Sequence, residues 1–382
     1  MAAADSETPW WVTFFENIDD PRRDNSNLRH KLLDTIVIAV AGMICGADDW
    51  VAIEMFGNAK RKWFETFLEL PNGIPSHDTF GRIFARIDPE QFRAAFGSAI
   101  AALAGDERIK SIAIDGKTVR RSHDHQKGRS ALHVVSAWAS ENQTVLGQVS
   151  TDEKSNEITA IPLLLRAVDV KGAVVTIDAM GCQKEIAEEI IKQGGAYVLA
   201  VKANQPKLHD DLGHFFDACL QEGGEPGTPW KSWAEEEHKH GRDEVRRYHV
   251  AKDLSDFRTA GDWKGLKAVG VVEYSRTENG VTSTDRRYYI MSRKLTPRQF
   301  ADRVRRHWGI ENKLHWVLDM AFREDESRVR TGHAQENLVM LRHLALNLLR
   351  EDKTKKVGIK NKRLGAGWDH GYLLLLLEGM AK

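Results

Sequence analysis

The chain has 382 residues, of which 42% are hydrophobic and 29% are charged, and its 55 lysines and arginines balance 55 aspartates and glutamates. This length predicts two or three domains with ample material for a core. The zero net charge gives no sign of a globally basic nucleic-acid-binding protein, so any basic surface must be local. Three widely separated cysteines indicate neither a disulfide framework nor a zinc site, and they fit a reducing compartment.

The apolar segments and the N-terminus predict an intracellular protein. The most apolar early segment, residues 35–47, is too short to cross a bilayer and contains two glycines. The first residues lack the basic start and apolar stretch of a signal peptide. We therefore expect a soluble, cytoplasmic protein with no membrane partner.

Residues 1–105 are predicted to form an N-terminal helical domain. Apolar residues recur at helical spacing in four segments, which span residues 30–45, 52–68, 79–87 and 89–104. Ser76 or Asp78 provides a cap for the third helix. Such a module either reads DNA or packs against the next domain, and the sequence leaves both interpretations open.

From about residue 106 the pattern changes to short strands that alternate with helices. The predicted elements are, in order, strands at 112–119, 131–139 and 144–150, a helix at 157–167, a strand at 174–178, a helix at 184–193 and a strand at 196–202. This order predicts an α/β fold with an RNase H-like core, a mixed sheet flanked by helices, although other α/β folds share it. We expect this catalytic domain to span residues 106–352.

Two further segments complete the predicted organisation. Residues 206–292 interrupt the core; they are rich in charge, glycine and tryptophan and end in two strand candidates, which predicts a β-rich insertion with its own β-structure. A helix is then expected from Pro297, with Thr296 as its N-cap. Residues 353–382 are predicted to be a basic tail, which either binds phosphate nonspecifically or is simply solvated.

Two of the predicted strands end in an aspartate. Residues 112–114 run apolar into Asp115, and residues 173–177 run apolar into Asp178. Because ligands bind at the carboxyl ends of strands in α/β sheets, we expect these carboxylates to lie close together, as in a metal site. Strand-end acids are also common as caps or loop anchors, so the pair alone is a weak indication.

A third acid lies in the predicted helix RVRRHWGIENKLHW. Arg303, His307 and Glu311 fall at successive i, i+4 positions, and His315 continues the same face. A face that alternates basic groups with one carboxylate suits a groove in which phosphates pass a metal-binding glutamate. A ladder of intrahelical ion pairs is the alternative.

Taken together, these motifs resemble the H-repeat-associated (ISAs-type) bacterial insertion-sequence transposases of the DDE superfamily. The resemblance covers nearly the whole chain and is carried by IAIDGKT, STDEKSNEITAIP, TIDAMGCQ, VKANQ and HWGIENKLHWVLDMAFREDESR. It implies that Asp115, Asp178 and Glu311 are the catalytic residues and bind two Mg²⁺ ions, or Mn²⁺ in their place. It also implies a homodimer that binds the terminal inverted repeats and target as double-stranded DNA, cleaves the element ends and joins them to the target.

The chain departs from the broader family near the glutamate. Positions that hold a tyrosine, an arginine and a lysine in those relatives hold Val304, His307 and Leu318 here. His307, Lys313 or His315 is the expected replacement, and Asp319 is the alternative third acid. The candidate DNA contacts are Lys117, Lys202, Asn204, Gln205, Arg303, Arg306, His307, Lys313 and His315, although Asn204 and Gln205 could instead cap a loop.

Two other functions remain open at this point. A metal-dependent nuclease would use the same core without strand joining. A domesticated DNA-binding regulatory protein would keep the site idle, but drift in an idle site is expected to remove an acid, and all three acids are present.

Overall fold

The computed structural model describes residues 9–22, 28–104, 109–124, 128–151, 157–221, 230–239 and 242–378. Residues 152–156, which carry part of the motif STDEKSNEITAIP, lie outside these ranges, as does residue 105 at the first predicted domain boundary.

The N-terminal region is helical, as the apolar spacing predicts. Its helices are α1 (Leu32–Ile44), α2 (Trp50–Ala59), α3 (Arg61–Phe64), α4 (His77–Phe84) and α5 (Pro89–Ala104). α1 is buried along nearly its whole length, and the Ser76 hydroxyl accepts a hydrogen bond from the backbone of Thr79 at the start of α4. The module does not stand apart, because the buried amide of Asn337 donates hydrogen bonds to the carbonyls of Phe84 and Ile87.

The described residues form one nine-stranded mixed sheet in the order β3-β2-β1-β4-β5-β9-β8-β7-β6. Its strands are β1 (Ser111–Thr118), β2 (His133–Ala139), β3 (Thr144–Thr151), β4 (Val174–Ile177), β5 (Ala196–Val201), β6 (Trp230–Lys239), β7 (Arg242–Ala251), β8 (Ala268–Glu278) and β9 (Val281–Met291). β4 runs parallel to β1 and to β5, and the other pairs are antiparallel. The predicted mixed α/β architecture is confirmed.

Helices cover this sheet and follow the predicted succession. They are α6 (Glu157–Ala167), α7 (Lys184–Lys192), α8 (Pro206–Gln221), α9 (Pro297–Ile310), α10 (Trp316–Phe322) and α11 (Ala334–Glu351). α9 starts with a capping box in which Thr296 and Gln299 each bond the other's backbone, and Pro297 occupies the first turn. The signals for the start of this helix are therefore local and readable from sequence.

The insertion differs from its prediction in two ways. It begins with α8 and contributes four strands where two were expected, and these strands extend the core sheet because β9 pairs with β5. The charge run at 235–247 lies in β6 and β7, and its charged residues hide the strand pattern in the sequence. Opposite charges face each other across this hairpin, as in the pair of Glu235 and Arg246. Arg305 of α9 also contacts Glu235, at 2.6 Å, which ties the hairpin to that helix.

The prediction of a basic tail is wrong for residues 359–378, which form helices. These residues contain α12 (Ile359–Trp368) and α13 (His370–Glu378), which pack into the core. Lys362 and Arg363 are buried, with Lys362 Nζ donating to the Leu349 carbonyl at 3.0 Å. The apolar side chains of α13 explain this packing, since burying them stabilises the helix against the core.

No helix in the described ranges combines the length and the apolar character that crossing a membrane requires.

Candidate active site

The register of the sheet places the two predicted aspartates side by side, although Asp115 lies inside β1 and only Asp178 follows the end of its strand. β1 and β4 are parallel neighbours in which Ile114 pairs with Ile177, so Asp115 and Asp178 follow directly at the same sheet edge. Parallel strands present their carboxyl ends together, which is the expected position of a ligand site. The juxtaposition predicted from the two sequence motifs is therefore found in the register of the sheet.

The turn after β4 fixes the Asp178 carboxylate. Its Oδ1 accepts hydrogen bonds from the backbone N–H of Met180, at 3.0 Å, and of Gly181, at 3.4 Å. Asn204 donates to the Ala179 carbonyl at 2.7 Å, and Gln205 donates to the Cys182 carbonyl at 2.9 Å. The side-chain amides of Asn204 and Gln205 therefore stabilise the loop that carries Asp178. This is the loop-capping role predicted as the alternative to a DNA contact.

Glu311 occupies a local irregularity of the helix that follows the insertion. Between α9 and α10, residues 311–315 form a π-helical turn, a feature often found at functional sites. The predicted common face is broken here: Glu311 is exposed, whereas His315 is buried. Within the described part of the chain, the Glu311 carboxylate makes no hydrogen bond or ion pair, so it is free to bind a ligand.

Asp115, Asp178 and Glu311 line one cleft of about 680 Å³ between the sheet edge and α9. Burial, and then the neighbouring carboxylate of Asp178, raise the pKa of Asp115 to about 7. The accumulation of carboxylates fits a hard divalent ion, which prefers oxygen ligands and would relieve the repulsion. As they stand, no three described His, Cys, Asp or Glu side chains are close enough to enclose a metal ion.

Lys117 is held by acids and is not available to phosphate. Its Nζ lies 2.8 Å from Asp319, 3.0 Å from Asp325 and 3.1 Å from Glu324. Burial by itself would lower the pKa of Lys117, but Glu324 and Asp319 raise it above its usual value. Asp319, the alternative third acid, is thus already engaged by a cation.

Both histidines of this helix are neutral; His315 is buried, and His307 is half-buried in the wall of the cleft. Burial lowers the pKa of His315 to about 3, and its Nδ1 lies 3.6 Å from Oδ2 of Asp115. Burial also lowers the pKa of His307 to about 4, and its Nδ1 lies 3.2 Å from the Thr176 hydroxyl of β4. The structure therefore uses these rings to attach the helix to β1 and β4, and they carry no positive charge at neutral pH.

The other predicted DNA contacts fall into two groups. Arg306 is paired with Asp302 at 2.7 Å and with Glu141 at 3.2 Å, and Arg303 lies 3.7 Å from Glu141. Lys202 is exposed in the cleft of the three acids, and Lys313 is exposed in an adjoining cleft. Only these two lysines remain as uncommitted cations among the predicted contacts.

Sequence analysis missed a buried pair beside Asp115. His133 Nε2 lies 2.5 Å from Oε1 of Glu157, and a side chain at Gly116 would clash with both residues. The only sequence signal is the glycine after Asp115, because the two partners come from β2 and α6.

Comparisons with known proteins assign the chain to a family. Residues 107–348 match the family model described as "Transposase DDE domain", and residues 12–100 match one described as "DDE_Tnp_1-associated". The chain therefore belongs to the DDE transposase family.

Within that family the similar proteins include H repeat-associated members. The chain is 41% identical over 367 residues to "H repeat-associated putative transposase YhhI" of Escherichia coli K12, covering 94% of this chain and 95% of that protein. It is 46% identical over 298 residues to an uncharacterized protein in the dhlA 3' region of Xanthobacter autotrophicus, covering 78% and 99%. The solved structure of a piggyBac transposase synaptic complex with hairpin DNA aligns with 97% of this chain and 78% of the piggyBac chain, at 10% identity and a TM-score of 0.46.

Proposed function

We propose that this protein is the DNA transposase of an insertion sequence. It binds the terminal inverted repeats and the target as double-stranded DNA, cleaves the element ends and joins the freed 3′-hydroxyls to the target. A homodimer is proposed because two ends must be held together, and a cytoplasmic location because its substrate is DNA. An RNase H-like core is proposed from the strand order β3-β2-β1-β4-β5.

The observation that carries this proposal is the convergence of three acids from separate elements. Asp115 and Asp178 directly follow the last paired residues of the parallel strands β1 and β4, and Glu311 enters the same cleft from the helix beyond the insertion. Family membership supports phosphodiester chemistry at this cleft. The engagement of Asp319 by Lys117 supports Glu311 as the third acid.

The proposed cofactor is a pair of Mg²⁺ ions held by these three carboxylates, with Mn²⁺ as a substitute. When bound, such ions lower the pKa of the attacking water or hydroxyl and stabilise the leaving oxygen. Oxygen ligands suit Mg²⁺, which keeps several of its waters.

The residues of the chain have distinct tasks in this proposal. Asp178 is held in one orientation by the backbone of Met180 and Gly181, so it offers a preorganised ligand. Asp115 lies beside it and needs positive charge to stay ionised, because its pKa is raised. Glu311 is exposed and unpaired among the described residues, so it can approach the reacting phosphate without breaking an existing contact.

The test is Mg²⁺-dependent cleavage and joining on a labelled duplex that carries the repeat flanking the coding region. The wild type is compared with Asp178→Asn, Glu311→Gln and a control, Glu188→Gln, which removes an exposed carboxylate from α7. The first two variants should lose both reactions while still binding the duplex, and the control should keep them.

Three other outcomes would change the assignment. Cleavage without joining would identify a nuclease. Binding by an inert wild type, in Mg²⁺ and in Mn²⁺, would identify a regulatory protein. Activity retained by Glu311→Gln but lost by Asp319→Asn would move the third ligand to Asp319.

A further inference from the structure

A second cleft, of about 800 Å³, lies between the N-terminal helical module and the segment that leads into α11. One wall is α4 and the turn that follows it, which contribute Arg82 and Arg86, and the other wall contributes Arg328 and Arg330. Arginine is the side chain best suited to phosphate, because its planar guanidinium offers several donors at once.

Contacts between the two walls keep the cleft in one shape. The backbone N–H of His333 donates to the Ala85 carbonyl at 3.0 Å. Gly332, at a φ of +52°, sits so close that a Cβ there would lie 2.4 Å from the same oxygen. The extended segment is therefore fixed against the end of α4, and the four arginines need little rearrangement to bind a ligand.

These arginines lack carboxylate partners within the described ranges. Arg86 and Arg328 are exposed and make no hydrogen bond or ion pair there. Arg82 donates only to the Asp78 carbonyl and the Thr79 hydroxyl, and Arg330 donates to the Arg121 carbonyl at 3.1 Å.

The acids of the same cleft are mostly engaged elsewhere. Asp48 is paired with Arg363, and Glu326 is paired with Arg323. Asp49 is the N-cap of α2, where it accepts from the Ala52 backbone. Asp78 lies in the first turn of α4, 3.6 Å from His77. Five arginines therefore face four acids in this cleft, and Asp48 is neutralised by Arg363 from outside it, so the cleft is positive in a chain whose net charge is zero.

The cleft is linked to the candidate active site through a chain of contacts. Arg330 contacts the backbone of Arg121, and the neighbouring Arg120 lies 3.2 Å from Asp325. Asp325 in turn binds Lys117, two residues after Asp115. The wall of this cleft is thus connected by successive contacts to Lys117, which lies close in sequence to the candidate catalytic Asp115.

We propose that this arginine cleft binds the phosphate backbone of the DNA duplex whose strand is processed at the three acids. The inference rests on the proposed function for its substrate class and adds the surface that holds that substrate. Backbone contacts position a duplex without reading its sequence, so the cleft should bind duplexes of any sequence.

The experiment measures binding of the full-length chain to a fluorescein-labelled duplex of random sequence, without divalent ions, over a range of salt concentrations. Arg86→Gln/Arg328→Gln removes one arginine from each wall. Arg258→Gln/Arg298→Gln is the matched control, because both of its arginines are exposed, lie outside this cleft and make no ion pair in the described chain. Arg86→Lys/Arg328→Lys keeps the charge.

The glutamine pair should weaken binding about tenfold or more, since hydrogen bonds to charged groups are lost. It should also reduce the slope of log K against log salt concentration by about 0.9 for each phosphate contact removed. The lysine pair should keep the slope, and the control should behave as the wild type. A variant that only misfolds would have a lower melting temperature than the wild type. Melting temperatures of the glutamine and lysine pairs therefore separate misfolding from the loss of a phosphate contact.

Several results would overturn the proposal. The first is an equal salt slope for the glutamine pair and the control, and the second is failure of the wild type to bind the duplex. The third is binding of polyglutamate in place of DNA through Arg86 and Arg328, which would assign the cleft to an acidic protein. Failure of the proposed function is distinct, because an inert wild type could still bind DNA through these arginines.

Discussion

The imidazole of His133 and the carboxylate of Glu157 meet beside the candidate site, with Nε2 and Oε1 2.5 Å apart. The other ring nitrogen lies 2.8 Å from the Thr118 hydroxyl, so both nitrogens are engaged. The backbone of Gly116, next to Asp115, packs against this pair. The position of one catalytic candidate thus depends on the fit between β1, β2 and α6.

Gly116→Ala should lower stability and activity together. Its Cβ would lie 2.3 Å from Oε1 of Glu157 and from Nε2 of His133, and relieving that clash should cost about 1–3 kcal/mol. Urea unfolding measures the change. Gly97→Ala is the control, since it meets no atom within 4 Å in α5 and should stabilise by about 0.5–1 kcal/mol. Equal stability of the two variants would contradict the tight fit at Gly116.

Lys117→Met should destabilise the fold, because three carboxylates would lose their common cation. Removing one partner of a buried ion pair costs roughly 3–5 kcal/mol. The pKa of Lys117 is raised, so its contribution is present below the pKa of an unfolded lysine, about 10.4, and is lost only as the pH rises through the still higher folded pKa.

The difference in unfolding free energy between the wild type and Lys117→Met should therefore be equal at about pH 7 and about pH 9. Chemical unfolding at both values provides the measurement. A difference that disappears by pH 9 would mean that the pKa of Lys117 is lowered in the folded protein and that the acids do not stabilise its charge.

Asn347→Ala should destabilise the edge of the sheet. The Asn347 side chain accepts from the backbone N–H of Val145 and donates to its carbonyl, both at 2.9 Å, so it acts as a strand partner for the edge strand β3. Each buried group left without a partner costs roughly 1–3 kcal/mol. Asn58→Ala, at an exposed position of α2, should change stability by less than about 0.5 kcal/mol. Similar unfolding midpoints for both would refute the role of Asn347.

Arg363→Met should destabilise the whole protein, whereas Lys360→Met should not. Arg363 is buried, lies 2.5 Å from Asp48 and donates to the Met43 carbonyl, whereas Lys360 is exposed on the same helix. Loss of the buried pair should cost roughly 3–5 kcal/mol. Thermal unfolding of the two variants separates a packed terminal helix from a solvated tail, since a tail would tolerate both changes.

Local signals in the sequence predicted most of the core elements and the joint that presents Asp178. An apolar run closed by Asp178 marks the end of β4, and Thr296 with Pro297 marks the start of α9, whereas Asp115 and Gly116 lie inside β1. These signals act over a few residues through backbone conformation and side-chain caps, so the sequence alone exposes them. The i, i+4 spacing of Arg303, His307 and Glu311 drew attention to Glu311, and the family resemblance then implied its catalytic role in preference to Asp319.

The tertiary structure decided which charged groups are free. Lys117 and Lys202 look equivalent in the sequence, yet the first is enclosed by acids from residues 319–325 and the second is exposed. The chain order likewise does not reveal that Arg363 reaches Asp48, or that the π-helical turn separates Glu311 from His315. Charge pairing and burial depend on contacts between residues distant in the chain, and these contacts exist only once the sheet and its helices have packed.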